Sequence, residues 1–137
     1  MSYKIVTKYI KNIEFNIPDA KSYFLIEKNI GNYKINFDIK SKKIKEDLVE
    51  IDTNLKLKSQ RDGDNQIKVS ILFSSLISLK EKVTDKKKLE KIVLIDVPTT
   101  IYPEIRNILV FLFEKSGFKK INIDKEINFE DLYKKNN

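Results

Sequence analysis

The chain has 137 residues, with 27 basic against 20 acidic side chains for a net charge of +7, and it contains no Cys, His or Trp. That length supports one domain with a real core, and residues 1–137 are read as a single domain. Without Cys or His there are no disulfides, thiol nucleophiles, Cys/His zinc sites or Ser-His-Asp triads, and no metal or cofactor is expected.

The stretch Met1 to Lys8 has neither a continuous apolar core nor a small-residue cleavage site, so no secretory signal is expected there. Alternation then begins. Odd positions Tyr3 to Ile17 are mostly apolar; Lys4, Lys8, Asn12, Glu14 and Asn16 stand among the even ones. A period of two predicts a strand with one buried face, closed by Pro18, which cannot donate to a ladder. The even positions, Lys8 included, are assigned to the outer face.

Residues 18–32 read as a connection, yet they carry Tyr23, Phe24, Leu25, Ile26 and Ile30. Connections normally run over the surface and are polar. These five side chains are either ordinary core or the lining of a groove for apolar segments of another chain.

Three further strands follow: Tyr33 to Ile39, Val49 to Lys58 and Ile67 to Leu79, with a turn at Arg61-Asp62-Gly63-Asp64-Asn65. Short polar links make them an antiparallel meander. The longest charge-free stretch, Val69 to Leu79, has 11 residues, short of the roughly 18–20 of a membrane helix. The charge-rich runs Lys40 to Lys45 and Asp85 to Lys91 are assigned to solvent.

Beyond residue 80 the period becomes helical. Thr84 or Asp85 is the cap expected for a short helix reaching Ile95, which Pro98 is expected to interrupt. A longer helix should run from Ile101 to Ser116, with Pro103 in its first turn and Gly117 as its stop. Its residues 108–113, Ile-Leu-Val-Phe-Leu-Phe, are apolar all the way round. One sheet covers only one side of such a helix, and a second copy of the chain is the simplest cover for the rest. Ile101, Ile105, Ile108, Leu109 and Leu112 are the residues assigned to that contact. Asn128 is the expected N-cap of a last helical turn containing Glu130 and Asp131. The fold class is α+β: four antiparallel strands, then helices.

Motifs for chemistry are missing. With glycine only at 31, 63 and 117 there is no dinucleotide fingerprint or P-loop. Ser116 to Lys119 matches S-x-x-K, a chance match in so lysine-rich a chain and one without companion motifs. Asp62-Gly63-Asp64 lacks the pattern of a calcium loop. No catalytic residue is assigned, and the chain is not read as an enzyme. A basic nucleic-acid-binding module is the alternative of another class. It is disfavoured because only Arg61 and Arg106 among the 27 basic residues are Arg, the usual reader of bases and phosphates.

Three segments carry a family resemblance. Tyr9-Ile10-Lys11-Asn12-Ile13-Glu14-Phe15-Asn16-Ile17-Pro18, Pro98-Thr99-Thr100-Ile101-Tyr102-Pro103-Glu104-Ile105-Arg106, and Ile121-Asn122-Ile123 with Ile127-Asn128-Phe129-Glu130-Asp131-Leu132-Tyr133 stand in this order along the chain. In order and spacing they resemble the protein-export chaperone SecB. The resemblance implies a cytoplasmic, ATP-independent holdase for unfolded polypeptides. It also implies a tetramer, a dimer of dimers with helices sandwiched between two large sheets. The client grooves it implies involve the connection after the first strand, where Phe24 falls close to a family aromatic and Ile30 near a family Trp. Members that work with the motor SecA present acids on the outer sheet face. Here Asn12 and Asn16 occupy such positions, which disfavours SecA as a partner. A role protecting an antitoxin in a toxin–antitoxin–chaperone system is the alternative within the family.

Overall fold

A computed structural model describes residues 3–29, 33–59, 68–80, 85–118 and 122–135. The expected turn at 61–65, Ile67, Thr84 and Ile30 lie outside the described residues. Four strands, β1 (Tyr3–Asn16), β2 (Tyr33–Lys45), β3 (Leu48–Ser59) and β4 (Lys68–Leu79), form one antiparallel sheet in the order β1-β4-β3-β2. The meander of β2, β3 and β4 is as expected, and β1 pairs with β4 across it.

β1 departs from its simple alternation. Val6 and Lys11 have no partner in the β4 ladder, and the register shifts at each. An extra residue on one strand reverses which face the following side chains occupy. Tyr3 and Ile5 share a face with Leu79 and Ile77; Lys8 and Ile10 then pair with Ser75 and Phe73 on that same inner face. After the second shift Ile13 and Phe15 pair with Ile71 and Val69. Lys8 is therefore on the helical side, where its Nζ lies 2.7 Å from Glu104, and not on the outer face that strict alternation predicts. Tyr9, opposite Ser74, faces outward. Asn12 and Asn16, opposite Leu72 and Lys68, keep the outward placement.

The segment after Pro18 is a helix, α1 (Ala20–Asn29). Asp19 caps it by accepting the Ser22 N–H at 2.7 Å. Ser22 and Ile26, one turn apart, are its buried side chains. A four-residue apolar run conceals a helical period, which is why the segment reads as a connection.

Asp85 caps α2 (Lys86–Lys91) by accepting the Lys87 N–H. Pro98 does not break the chain's course. α2 runs through a π-helical turn, Ile92–Asp96, into α3 (Val97–Lys115), with Pro98 at its start. A proline is tolerated in a first turn, and the widened turn before it takes up the missing donor. α3 ends in a Schellman motif: Phe118 N–H reaches Phe113 O at 3.1 Å, and Gly117 has φ +91°. Asn128 caps α4 (Phe129–Lys135) by accepting the Asp131 N–H at 3.0 Å.

The core lies between the inner sheet face and α3. Ile51, Leu55, Ile71 and Ile77 meet Val97, Ile101, Ile105, Leu109 and Phe113, all fully buried. The helical residues recur every four positions, so one stripe of α3 faces the sheet. Ile101, Ile105 and Leu109 accordingly have no surface left for a second copy, which corrects their assignment to an oligomer contact. Ile108 and Leu112 are half-buried.

Candidate functional site

Two aromatic clusters frame α3. At its C-terminal end Phe15, Phe113, Phe118 and Tyr23 form a chain of edge and tilted contacts with centroids 4.8–5.3 Å apart. The Tyr23 hydroxyl donates to Gly117 O at 2.7 Å. This contact fixes α1 to the end of α3. Tyr23 is therefore half-buried and structural, and Ile26, fully buried, belongs to the core. That removes Ile26 from the assigned groove. Phe24 and Leu25 are left in the open, 65% and 38% exposed. Exposing so large an apolar area is costly unless something covers it.

At the other end, Phe37 of β2, Tyr102 of α3 and Phe129 of α4 pack with centroids 5.0–6.2 Å apart. Tyr102 donates to Asp124 O and Arg106 Nε to Ile123 O. Residues one turn apart on α3 thus hold the extended segment that leads into α4. These are motif residues of the second and third family segments, and Arg106 is spent on architecture. Between β2 and α4 lies a groove of about 460 Å3 with a mixed lining, in which Ile35, Phe37, Ile39, Leu94, Phe129 and Leu132 stand with Lys34, Asn36, Asp38, Tyr133 and Lys135. Sequence reading missed this groove. Its floor is the odd face of β2, and its other wall, α4, arrives from some 90 residues later in the chain. A second hollow of about 860 Å3 near the start of α3 has a mixed lining, with Ile95, Ile127 and Phe129 beside Asp96, Glu126 and Glu130.

The outer sheet face carries a polar cluster. Tyr9 donates to Glu50, Lys11 Nζ lies 3.0 Å from both Glu50 and Asp52, and Ser74 donates to Asp52 at 2.6 Å. The outer face is thus not uniformly basic or neutral, but its central acids are held by the chain's own lysine. Hydrogen bonds from Tyr9, then Lys11, hold the Glu50 carboxyl below the usual carboxylate range. For Asp52, desolvation pushes upward, and the Ser74 and Lys11 bonds outweigh it, so its pKa is also lowered.

Among the described residues no three His, Cys, Asp or Glu side chains gather as metal ligands, and no helix is long and apolar enough to cross a membrane. A sheet backed by helices on one face, with apolar side chains left open at each end of α3, is the surface of a polypeptide-binding protein. The sequence matches the SecB family, preprotein translocase subunit SecB, over residues 1–137. The chain belongs to this family of chaperones. A SecB relative from Pelagibacter ubique is 38% identical over 133 residues, covering 97% of this chain and 95% of the relative. The protein-export protein SecB of Magnetococcus marinus is 23% identical, over 96% of this chain and 82% of that protein. In structure the chain is similar to a SecB-like chaperone of Mycobacterium tuberculosis in complex with a ChAD peptide from the HigA1 antitoxin. That match has a TM-score of 0.70 and 11% identity, over 92% of this chain and 88% of the other.

Proposed function

We propose that the protein is an ATP-independent holdase of the cytoplasm that binds extended apolar segments of unfolded polypeptides, as in preprotein export. The observation that carries this reading is the division of labour on α1. Ile26 and Tyr23 anchor the helix to the subunit, while Phe24 and Leu25 point away from it. The β2–α4 groove offers a second apolar contact. Fully burying one large apolar side chain is worth roughly 1.5–3 kcal/mol, so a few such contacts hold a client after ordering and association costs are subtracted. No bond is made or broken in this action. The working unit is a tetramer of single-domain copies, and several grooves on one particle add avidity for a long chain.

The test is suppression of aggregation of a chemically denatured client without nucleotide. A double variant, Phe24→Ser with Leu25→Ser, is expected to lose more than half of the suppression while keeping its circular dichroism spectrum. Full activity in that variant would remove α1 from the binding surface.

The antitoxin-protecting reading is favoured by one observation. Asn12 and Asn16 face outward, and Lys11 engages Glu50 and Asp52, so the outer face offers few free acids to a basic SecA segment. A SecA titration separates the two roles: binding supports export, and no binding at low salt supports the dedicated role.

A further inference from the structure

The core and α3 lie on the inner face of the sheet, and the outer face is left to charged and polar side chains. At the end of that face where β2 and β4 begin, the strand register gathers lysines. Lys34 of β2 stands directly opposite Lys58 of β3. Leu57 pairs with Val69, which brings Lys58 level with Lys68 of β4. Lys56, two residues back along β3 and so on the same face, stands between Asn36 and Ser70. Lys34, Lys56 and Lys68 are exposed, and among the described residues none of the three has an ion-pair partner. Further along the face the lysines are matched. Lys42 and Lys40 stand opposite Glu50 and Asp52, and Lys11 bonds to both acids. At the Lys34 end the ladder sets no acid opposite a lysine, and Lys68 meets Asn16. Two acids flank the group. Asp38 lies against Lys40 at 3.9 Å, and Glu14 is a strand away from Lys56, across Ser70.

Like charges set directly opposite one another in a sheet are destabilising, and carboxylates laid across these strands would relieve the repulsion. We infer that this end of the outer face is a docking site for an acidic polypeptide segment of a partner protein. The group spans two inter-strand spacings, about 10 Å at roughly 4.8 Å each, which is wider than a single phosphate. It holds lysines and no arginine, and its neighbours Asn16, Asn36 and Ser70 offer no aromatic ring. Bidentate grips on phosphate and platforms for stacked bases are both missing, which sets an acidic protein above a nucleic acid. Charge complementarity of this kind selects the partner and speeds its arrival. The site lies on the opposite side of the sheet from the β2–α4 groove, so a client and an acidic partner can be held at once. It goes beyond the holdase reading and does not depend on it.

The probe is a fluorescein-labelled peptide of glutamate, serine and glycine, with no apolar side chain for the client surface to hold. It would be titrated against the full-length protein by anisotropy at low salt, beside a matched peptide with glutamine for glutamate and a single-stranded oligouridine. The acidic peptide is expected to bind, and to bind less tightly as salt rises. Lys34 also borders the β2–α4 groove and is left in place. A variant with Lys56, Lys58 and Lys68 all changed to Gln should weaken the acidic peptide about eightfold, from three exposed pairs each worth a factor of about two. Its circular dichroism spectrum and its suppression of client aggregation should be unchanged. A control with Lys86, Lys87 and Lys88 changed to Gln removes the same charge from α2 and should cost at most about twofold, through long-range attraction alone. An equal loss in both variants would mark a general attraction of a basic protein and overturn the site. So would equal binding of the glutamine peptide. Tighter binding of the oligouridine, weakened by the same three substitutions, would make this a nucleic-acid site instead. Loss of client suppression in the Lys56, Lys58 and Lys68 variant would assign these lysines to the holdase surface and remove the separate site. Failure of the parent protein to protect a denatured client, with the acidic peptide still bound, would sink the holdase reading and leave this one standing.

Discussion

Gly117 shows how one residue serves two elements. Its φ of +91° lies in the region that side chains avoid, and it lets α3 stop where Phe118 can turn back onto the core. A Cβ at this position would sit 3.2 Å from the Tyr23 hydroxyl. Gly117→Ala is therefore expected to destabilise the fold by about 1 kcal/mol or more in denaturant unfolding. Part of that loss should vanish in a Tyr23→Phe background, where the contacting oxygen is gone. Equal costs in both backgrounds would show that only the backbone conformation matters. The helix stop was legible in the sequence because a glycine after an apolar periodic run has one common use. The Tyr23 contact was not legible, since it joins residues 94 apart. For the same reason Tyr23, Phe24, Leu25 and Ile26 looked equivalent. Only the helical turn, capped by Asp19, sends Phe24 and Leu25 outward and Ile26 inward.

Strand β1 is where element-level reading failed in detail and held in outline. Alternation found the strand and its end at Pro18, but two single-residue bulges cannot be seen in a period of two. They bring Tyr9 and Lys11 to the acids of β3, and they turn Lys8 toward Glu104 of α3. Nor could a search for charge pairs join Lys11 to Glu50 and Asp52 before the strand order was known. The cluster has a pH signature. Glu50 and Asp52 have lowered folded-state pKa values, so the stability they contribute is present above the ordinary carboxylate range of about 4. It is lost as pH falls through their folded values. The Lys11 pKa is raised by its bonds to Asp52 and Glu50. Its share is present below about pH 10.4, the ordinary lysine value, and is lost as pH rises through the raised value. The denaturant midpoint of Lys11→Met should thus fall below that of the parent protein at pH 7, with the gap closing below about pH 4. A gap of unchanged size from pH 7 down to pH 2 would mean that Lys11 acts through packing of its stem instead.

At the scale of the whole molecule, the sequence showed that α3 is too apolar for one sheet but misjudged which residues bear the surplus. The spacing of four puts Ile101, Ile105 and Leu109 under the subunit's own sheet. The uncovered side is Ile108, Phe111 and Leu112, with Phe111 51% exposed. Two contacts tie β1 to this helix, Lys8 with Glu104 and Phe15 with Phe113. Between them the strand leaves Ile10 and Ile13 open on the same inner face, 47% and 38% exposed. The strand and the helix run side by side there, so these residues lie beside one another as an apolar band along the edge of the sheet. A band of this kind is where contact with sister copies is expected. Ile10→Glu combined with Phe111→Glu should place unpaired carboxylates in that contact. Sedimentation should then give the mass of a single subunit, with the circular dichroism spectrum retained, and raised salt should not restore the larger particle, because the lost contact is apolar. An undiminished tetramer in this variant would move the assembly surface elsewhere, and a parent protein that sediments as one subunit would show that the band has another use.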